Sequence, residues 1–254
     1  MRIAYTNISV LSAIHRSVYR KATQLCDNYC HNLYLCAMYS LAEENYLKAL
    51  YLIAGADGAV SVNDLSKHLN IKMPTVNSMM KKLFEKKLVE YESYKPIKLT
   101  KEGKKQAALI IRKHRLTEMF LVEKMGFGWE EVHEIAEQIE HLHAPLFFDR
   151  MDAILGFPKA DPHGSPIPNK QGEIEWLAYE NLSACKVGDK VVLSAVTHSS
   201  DDFLKFLNTK QIKLGDLITV HHIEPYDGSM QLTVGNNAPE TFSKVVCEKL
   251  LVRP

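Results

Sequence analysis

Glu137, Glu140 and His141 stand at i, i+3 and i+4, with His133 one turn before them and His114 further upstream. An α-helix advances about 100° per residue, so these offsets return to one face. Two carboxylates and an imidazole gathered there make a hard-to-borderline donor set, suited to Mn(II) or Fe(II) rather than to a thiolate-loving ion. His114 and Glu118, themselves at i and i+4, add donors from a neighbouring helix. Such a pair can be plain charge pairing along a helix. The expectation of a metal site rests on all of these side chains falling on two neighbouring helices. Hydrolytic metal centres use the same residue types, with one coordination position left to water. The chain has no H-E-x-x-H pair and no separate nucleophile motif, so an enzyme is not expected.

The elements ahead of this cluster read as a nucleic-acid-binding module. From Lys72 to Lys105 ten lysines stand against four acids (Glu85, Glu90, Glu92 and Glu102), a local charge of +6 in a 254-residue chain whose formal net charge is +1. A basic block on a compact module fits phosphate binding. Leu41, Tyr46, Leu47, Leu50, Tyr51 and Ile53 recur at helical spacing, and Gly55 with Asp57-Gly58 ends that run. Ser61 followed by Asp64 predicts a capped second helix carrying Val62, Leu65 and Leu69 inward. After the turn at Asn70-Ile71-Lys72, Pro74 opens a third helix with Val76, Met80 and Leu83 inside. Its outer side shows Thr75, Ser78 and Lys82, flanked by Asn77 and Lys81. Two short strands at 88–91 and 97–100, joined around Tyr94-Lys95-Pro96, complete a winged helix-turn-helix. The expected DNA contacts are Thr75, Asn77 and Ser78 at base edges and Lys82, Lys95 and Lys98 at phosphates, with Pro74 and Lys81 further residues of the same face. The competing reading is a helix-turn-helix that contacts only protein.

A long helix from about Gly103, a second from near Trp129 and a third over 145–155 follow. The third carries Leu146, Phe147, Phe148, Met151 and Ile154, more apolar surface than a small module buries alone, which predicts a homodimer. Over 156–172, seven of 17 residues are Pro or Gly, which reads as a linker. A short helix at 174–183 and Val-rich strands near 191–196, 217–223, 230–234 and 245–252 then predict a small β-barrel, with a helical stretch around 202–207. His221-His222 reads as one exposed and one core-facing side chain. The expected fold is mainly α with small β: an extension (1–37), a winged-helix domain (38–102), a helical dimerisation domain (103–157), a linker (158–179) and an SH3-like β-barrel (180–254).

The five cysteines (Cys26, Cys30, Cys36, Cys185 and Cys247) do not form a disulfide framework and favour a reducing, cytoplasmic setting. No run reaches the roughly 18 apolar residues of a membrane span. The first 37 residues lack amphipathic period and a clear cleavage site, so the expectation is either that Met38 is the start or that the extension is poorly ordered.

The chain resembles the diphtheria-toxin-repressor family of metal-dependent transcriptional regulators, especially its manganese-responsive branch. The resemblance is carried by Ala42-Glu43-Glu44-Asn45-Tyr46-Leu47-Lys48, Pro74-Thr75-Val76, Arg112-Lys113-His114-Arg115-Leu116, Ile139-Glu140-His141 and Gly164-Ser165-Pro166-Ile167-Pro168. It implies a dimeric repressor that binds double-stranded operator DNA when loaded with Mn(II) or Fe(II). It also implies His114, Glu137, Glu140 and His141 as ligands, joined by Asn45, with Glu118 and His133 ancillary. Glu137 replaces the Cys of iron-type members, favouring Mn(II). Asn45 and Lys48 replace an Asp and a Glu of manganese-type members, which argues against a two-metal cluster of that type. By the same resemblance, His198, Asp201 or Asp202 would be placed to lend a ligand from the C-terminal domain.

Overall fold

The computed structural model describes residues 39–55, 57–197 and 200–254. The extension 1–37, its three cysteines, Met38 and His198 lie outside them. Helix α1 (Leu41–Ile53) opens where the Ser40 backbone N–H donates to Glu43 and the Glu43 N–H donates back to the Ser40 hydroxyl. Strand β1 (Ala59–Val60) leads into α2 (Val62–Leu69), whose N-cap Ser61 accepts from the Asp64 N–H at 3.0 Å. Helix α3 (Met73–Glu85) carries Pro74 in its first turn and buries Val76, Met80 and Leu83. Strands β2 (Val89–Glu90) and β3 (Ile97–Leu99) form the wing, and β1 pairs antiparallel with the far side of β3, giving the order β1-β3-β2. The sequence reading missed β1 because two residues carry no periodicity.

Helix α4 (Lys101–Met125) begins two residues before the expected Gly103, because Thr100 caps it by accepting from the Gly103 N–H. Gly103 lets this first turn press on the wing: a Cβ there would lie 2.0 Å from the Leu88 carbonyl oxygen. Helix α5 (His133–Ile139) is shorter than expected at both ends. Trp129 does not start it; the indole packs against the core of the C-terminal domain, and Glu140 is the C-cap residue, still in helical torsions. Helix α6 (Pro145–Ile154) buries Phe148 and Met151 against Leu116 and Ile167, while Leu146, Phe147 and Ile154 are exposed.

The segment 156–169 is not a flexible linker. Asp161, His163 and Ile167 are buried, Ala160 pairs with Pro166 in an isolated bridge, and Arg112 Nη1 donates to the Pro168 carbonyl at 2.8 Å. The helix expected at 174–183 is absent; β4 (Glu180–Asn181) and a 3-10 turn (Leu182–Ala184) stand at its end. Strand β5 (Lys190–Val196), helix α7 (Asp201–Thr209), and strands β6 (Leu217–Ile223), β7 (Met230–Val234) and β8 (Glu240–Phe242) follow. The expected strand over 245–252 divides into α8 (Lys244–Cys247) and β9 (Leu250–Arg253). The six strands form an antiparallel sheet of order β4-β9-β5-β6-β7-β8. Leu182, Leu193, Leu207 and Ile218 are fully buried beneath it, each contributing about 2 kcal/mol of apolar burial. His221 and His222 are both exposed, correcting the alternating expectation. The register between β6 and β7 shifts between Val220 and His222, and such a bulge breaks alternation.

Candidate metal centre and nucleic-acid face

Three elements bring the candidate donors together: α1, the middle of α4, and α5 with the turn after it. His114 and Glu118 are one turn apart on α4 and both are buried, which a helix interior allows only when their polar atoms are satisfied. His114 Nε2 lies 3.0 Å from Glu118 Oε1 and 3.2 Å from His133 Nδ1, and His133 Nδ1 lies 3.4 Å from the same carboxylate oxygen. One ligand atom from each of these three residues falls within 4.8 Å of the others.

The second oxygen of Glu118 faces a cluster that sequence reasoning missed. His163 Nδ1 lies 3.8 Å from Glu118 Oε2, and Glu118, Asp161 and His163 form a fully buried group of the same compactness. Asp161 is held by its own turn: Oδ1 accepts from the backbone N–H groups of His163 and Ser165, and Oδ2 lies 3.4 Å from Arg115 Nε. The available signal was Asp161-Pro162-His163-Gly164, two ligand-type residues within a Pro/Gly-rich stretch. That composition reads equally well as a spacer.

On the other side of His114, Nδ1 lies 2.6 Å from Glu140 Oε2. Glu140 is 1% exposed, and the same oxygen accepts from Lys48 Nζ at 2.7 Å. Glu137 is outside this buried pair, more than half exposed, 3.8 Å from Lys48 Nζ and 3.5 Å from His133 Nε2. His141 Nδ1 meets Glu44 Oε2 at 2.6 Å, while its Nε2 is 3.5 Å from Glu140 Oε1. Glu44, rather than its neighbour Asn45, is thus the α1 residue that reaches His141. Asn45 is half-buried beside it. The expected single convergence of Glu137, Glu140, His141, His114 and His133 is divided among these groups. Asp201 and Asp202 are exposed on α7, and Asp201 lines a hollow with Glu130, Glu131, Glu134 and Lys205.

Charge accounts for this order. Burial alone would raise the Glu118 carboxyl, but hydrogen bonds from His114, His133 and His163 outweigh it and hold the carboxyl well below its usual range. Burial would likewise raise Glu140, and the His114 bond and Lys48 charge lower it. Burial would lower His114, yet bonds to Glu118 and Glu140 raise it. His163 is pushed down by burial but carried up to about 9 by Glu118 and Asp161. The carboxylates of Glu118 and Glu140 are therefore held ionised and attract positive charge, whereas burial and the neighbouring Glu118 push Asp161 up. Carboxylate oxygens with imidazole nitrogens, and no thiolate among them, fit a hard-to-borderline divalent ion.

On the winged-helix module, Pro74, Thr75, Ser78, Lys81 and Lys82 are exposed along α3. Ser78 Oγ donates to the Pro74 carbonyl at 3.0 Å, and Asn77 accepts from the Tyr91 hydroxyl at 3.2 Å, which ties the helix to the wing. Lys98 is exposed on β3, and Lys95 at the wing tip pairs with Glu92 at 2.7 Å.

Comparison with known proteins gives the same division. Residues 38–97 match the model of the iron dependent repressor N-terminal DNA binding domain, 100–169 the iron dependent repressor metal binding and dimerisation domain, and 180–254 the FeoA domain. An HTH-type transcriptional regulator of Methanocaldococcus jannaschii is 36% identical over 113 residues, covering 44% of this chain and 90% of the relative. The chain belongs to the DtxR/MntR family of metal-dependent transcriptional regulators. Within the family, the iron-dependent repressor IdeR of Mycobacterium tuberculosis is 30% identical over 125 residues, covering 49% of this chain and 54% of IdeR. The match thus spans about half the length of that relative. A manganese-dependent transcriptional repressor in complex with manganese superposes with a TM-score of 0.76 at 28% identity, covering 83% of this chain and 98% of its own. Both a winged helix-turn-helix and a FeoA-type, SH3-like sheet domain are family features, and both are present here.

Proposed function

We propose that this chain is a metal-activated transcriptional repressor that binds operator DNA as a homodimer in the cytoplasm. The observation that carries the reading is the 2.6 Å contact between Glu44 on α1, the first helix of the winged-helix module, and His141, just beyond α5. Ligand-type side chains thereby join the DNA-reading module to the helices that follow it. Glu118, His114 and His133, with Asp161 and His163 on the other face of Glu118, are the proposed donors of one region. Glu140 and His141, with Glu137, Asn45 and Glu44, are those of the other. A bound divalent ion would supply charge that carboxylates and imidazoles from separate elements share. Such sharing fixes the spacing of the recognition helices if metal favours the DNA-competent arrangement. The oxygen-rich donor set favours Mn(II), with Fe(II) the alternative. Exposed Leu146, Phe147 and Ile154 on α6 supply the apolar face for pairing two copies. Among the described residues no helix is long and apolar enough to cross a membrane.

The test is binding of the purified protein to its own upstream DNA, titrated with Mn(II) or anaerobic Fe(II), with EDTA as control. Tightening by either metal is expected. Tight binding indifferent to metal and chelator would make the cluster structural, and turnover abolished by chelators would favour a metallohydrolase. At the DNA face, Lys81→Ala should weaken binding similarly across sequences and reduce the slope of log K against log salt by about one. An unchanged slope would remove Lys81 from the phosphate contacts.

A further inference from the structure

Lys48 enters the ligand cluster from α1 with its side chain 11% exposed. Its ammonium lies 2.7 Å from Glu140 Oε2, 3.2 Å from His114 Nδ1 and 3.8 Å from Glu137 Oε1. Those three residues, on α4, on α5 and at its C-cap, are all candidate donors. One cationic nitrogen therefore sits among three groups that would otherwise converge on an ion. An ammonium has three donors and no acceptor, so it satisfies carboxylates without being able to ligate metal. It is a compact point charge, and a dication a few ångströms away in a weakly screened interior would be strongly repelled. In the second cluster, around Glu118, Asp161 and His163, the carboxylate of Glu118 faces the imidazoles of His114, His133 and His163, and the fixed cation nearby, Arg115, lies against Asp161 Oδ2 at 3.4 Å.

We propose that Lys48 is a built-in cation that occupies the Glu137–Glu140–His114 position, so that this chain excludes a divalent ion there and takes metal around Glu118 and at donors beyond the reach of the ammonium. The inference rests on the functional reading above. It has a mechanical consequence. Lys48 belongs to the winged-helix module and Glu140 to the turn after α5, so the pair ties these elements without metal. A Lys48 ammonium link is permanent, whereas a metal link responds to supply. The response of this chain to metal is then set by fewer ions than the number of its ligand-type residues suggests.

The experiment is Mn(II) binding to the full chain by equilibrium dialysis with elemental analysis, comparing the wild type with Lys48→Glu and Lys48→Gln. Far-UV circular dichroism monitors the fold. Lys48→Glu replaces the cation by a carboxylate and is expected to bind one more Mn(II) per chain than the wild type. Lys48→Gln removes the charge at similar length, and is expected to bind the additional ion more weakly. It decides the matter if Lys48→Glu does not fold. A second readout is thermal stability in EDTA, which should fall in Lys48→Gln and be recovered by Mn(II) more fully than in the wild type. Equal Mn(II) counts in the wild type and a folded variant overturn the proposal while leaving the repressor reading intact. A wild type that binds no Mn(II) overturns the repressor reading as stated for Mn(II). In that case a gain of binding in either variant still supports the role of Lys48, and no gain overturns it as well.

Discussion

Glu118→Ala should weaken divalent-metal binding by about 100-fold or more, since loss even of groups that merely orient ligands costs 10–100-fold. Metal-stimulated operator binding should be lost with it. Glu118 is the side chain that the two compact ligand groups share. One oxygen of Glu118 faces His114 and His133, and the other faces His163 beside Asp161. Its removal takes a donor from both clusters at once and leaves His114 Nε2 and His163 Nδ1 without the carboxylate they face. The cost to the metal-free fold is about 1–3 kcal/mol, the penalty for stranding buried polar groups. Mn(II) titration in competition with a chelator, paired with operator binding by fluorescence anisotropy, measures the effect. A variant whose operator affinity rises with metal as steeply as that of the wild type would place the ions elsewhere. Glu118→Gln keeps the shape but not the charge and should lie close to Glu118→Ala, because ionised oxygen is what the imidazoles meet.

The second large effect is expected at a residue that ligates nothing. Gly164→Ala should destabilise the protein by about 2–4 kcal/mol, in the range of strained or overpacked positions. Gly164 has φ +86, and a Cβ there would lie 2.2 Å from the Ser194 carbonyl oxygen and 2.5 Å from Ala195 Cβ. Neither neighbour can swing aside, because both belong to strand β5. The displaced turn is the one that holds Asp161 and His163, so metal affinity should fall along with the denaturation midpoint. Stability within about 0.5 kcal/mol of the wild type, as for an ordinary surface change, would show that the turn yields freely.

What was legible in the sequence follows physical range. Helices α1 to α4 were readable because caps and periodicity are local: Ser61 with Asp64, Pro74 in the first turn, and Val76, Met80 and Leu83 on one side. The start of α5 was misplaced because Trp129, apolar and adjacent to a helical pattern, is claimed by the core of a domain distant in sequence. The segment 156–169 was misread because Pro and Gly mark rigid turns as well as spacers. Here Asp161 accepting from the His163 and Ser165 N–H groups, with Gly164 at positive φ, makes the rigid case. Donor types in the site were legible, but their partition was not. Glu140 turns to Lys48 and His114 while its neighbour His141 turns to Glu44, a choice set by where α1 lies rather than by spacing along α5.

Trp129 has a wider role than its place in a short connection suggests. Its indole N–H donates to Asn208 at 2.8 Å, its carbonyl meets His163 Nε2 at 2.8 Å, and its ring lies stacked near that imidazole while packing on the C-terminal core. His133 begins its helix only four residues later. The C-terminal domain is therefore geared to the α4–α5 connection and cannot swing like a bead on a string. Rotating it would drag on the backbone that aims His133 and on the ring that faces Glu118, so a displacement of the C-terminal domain is transmitted to the centre through Trp129.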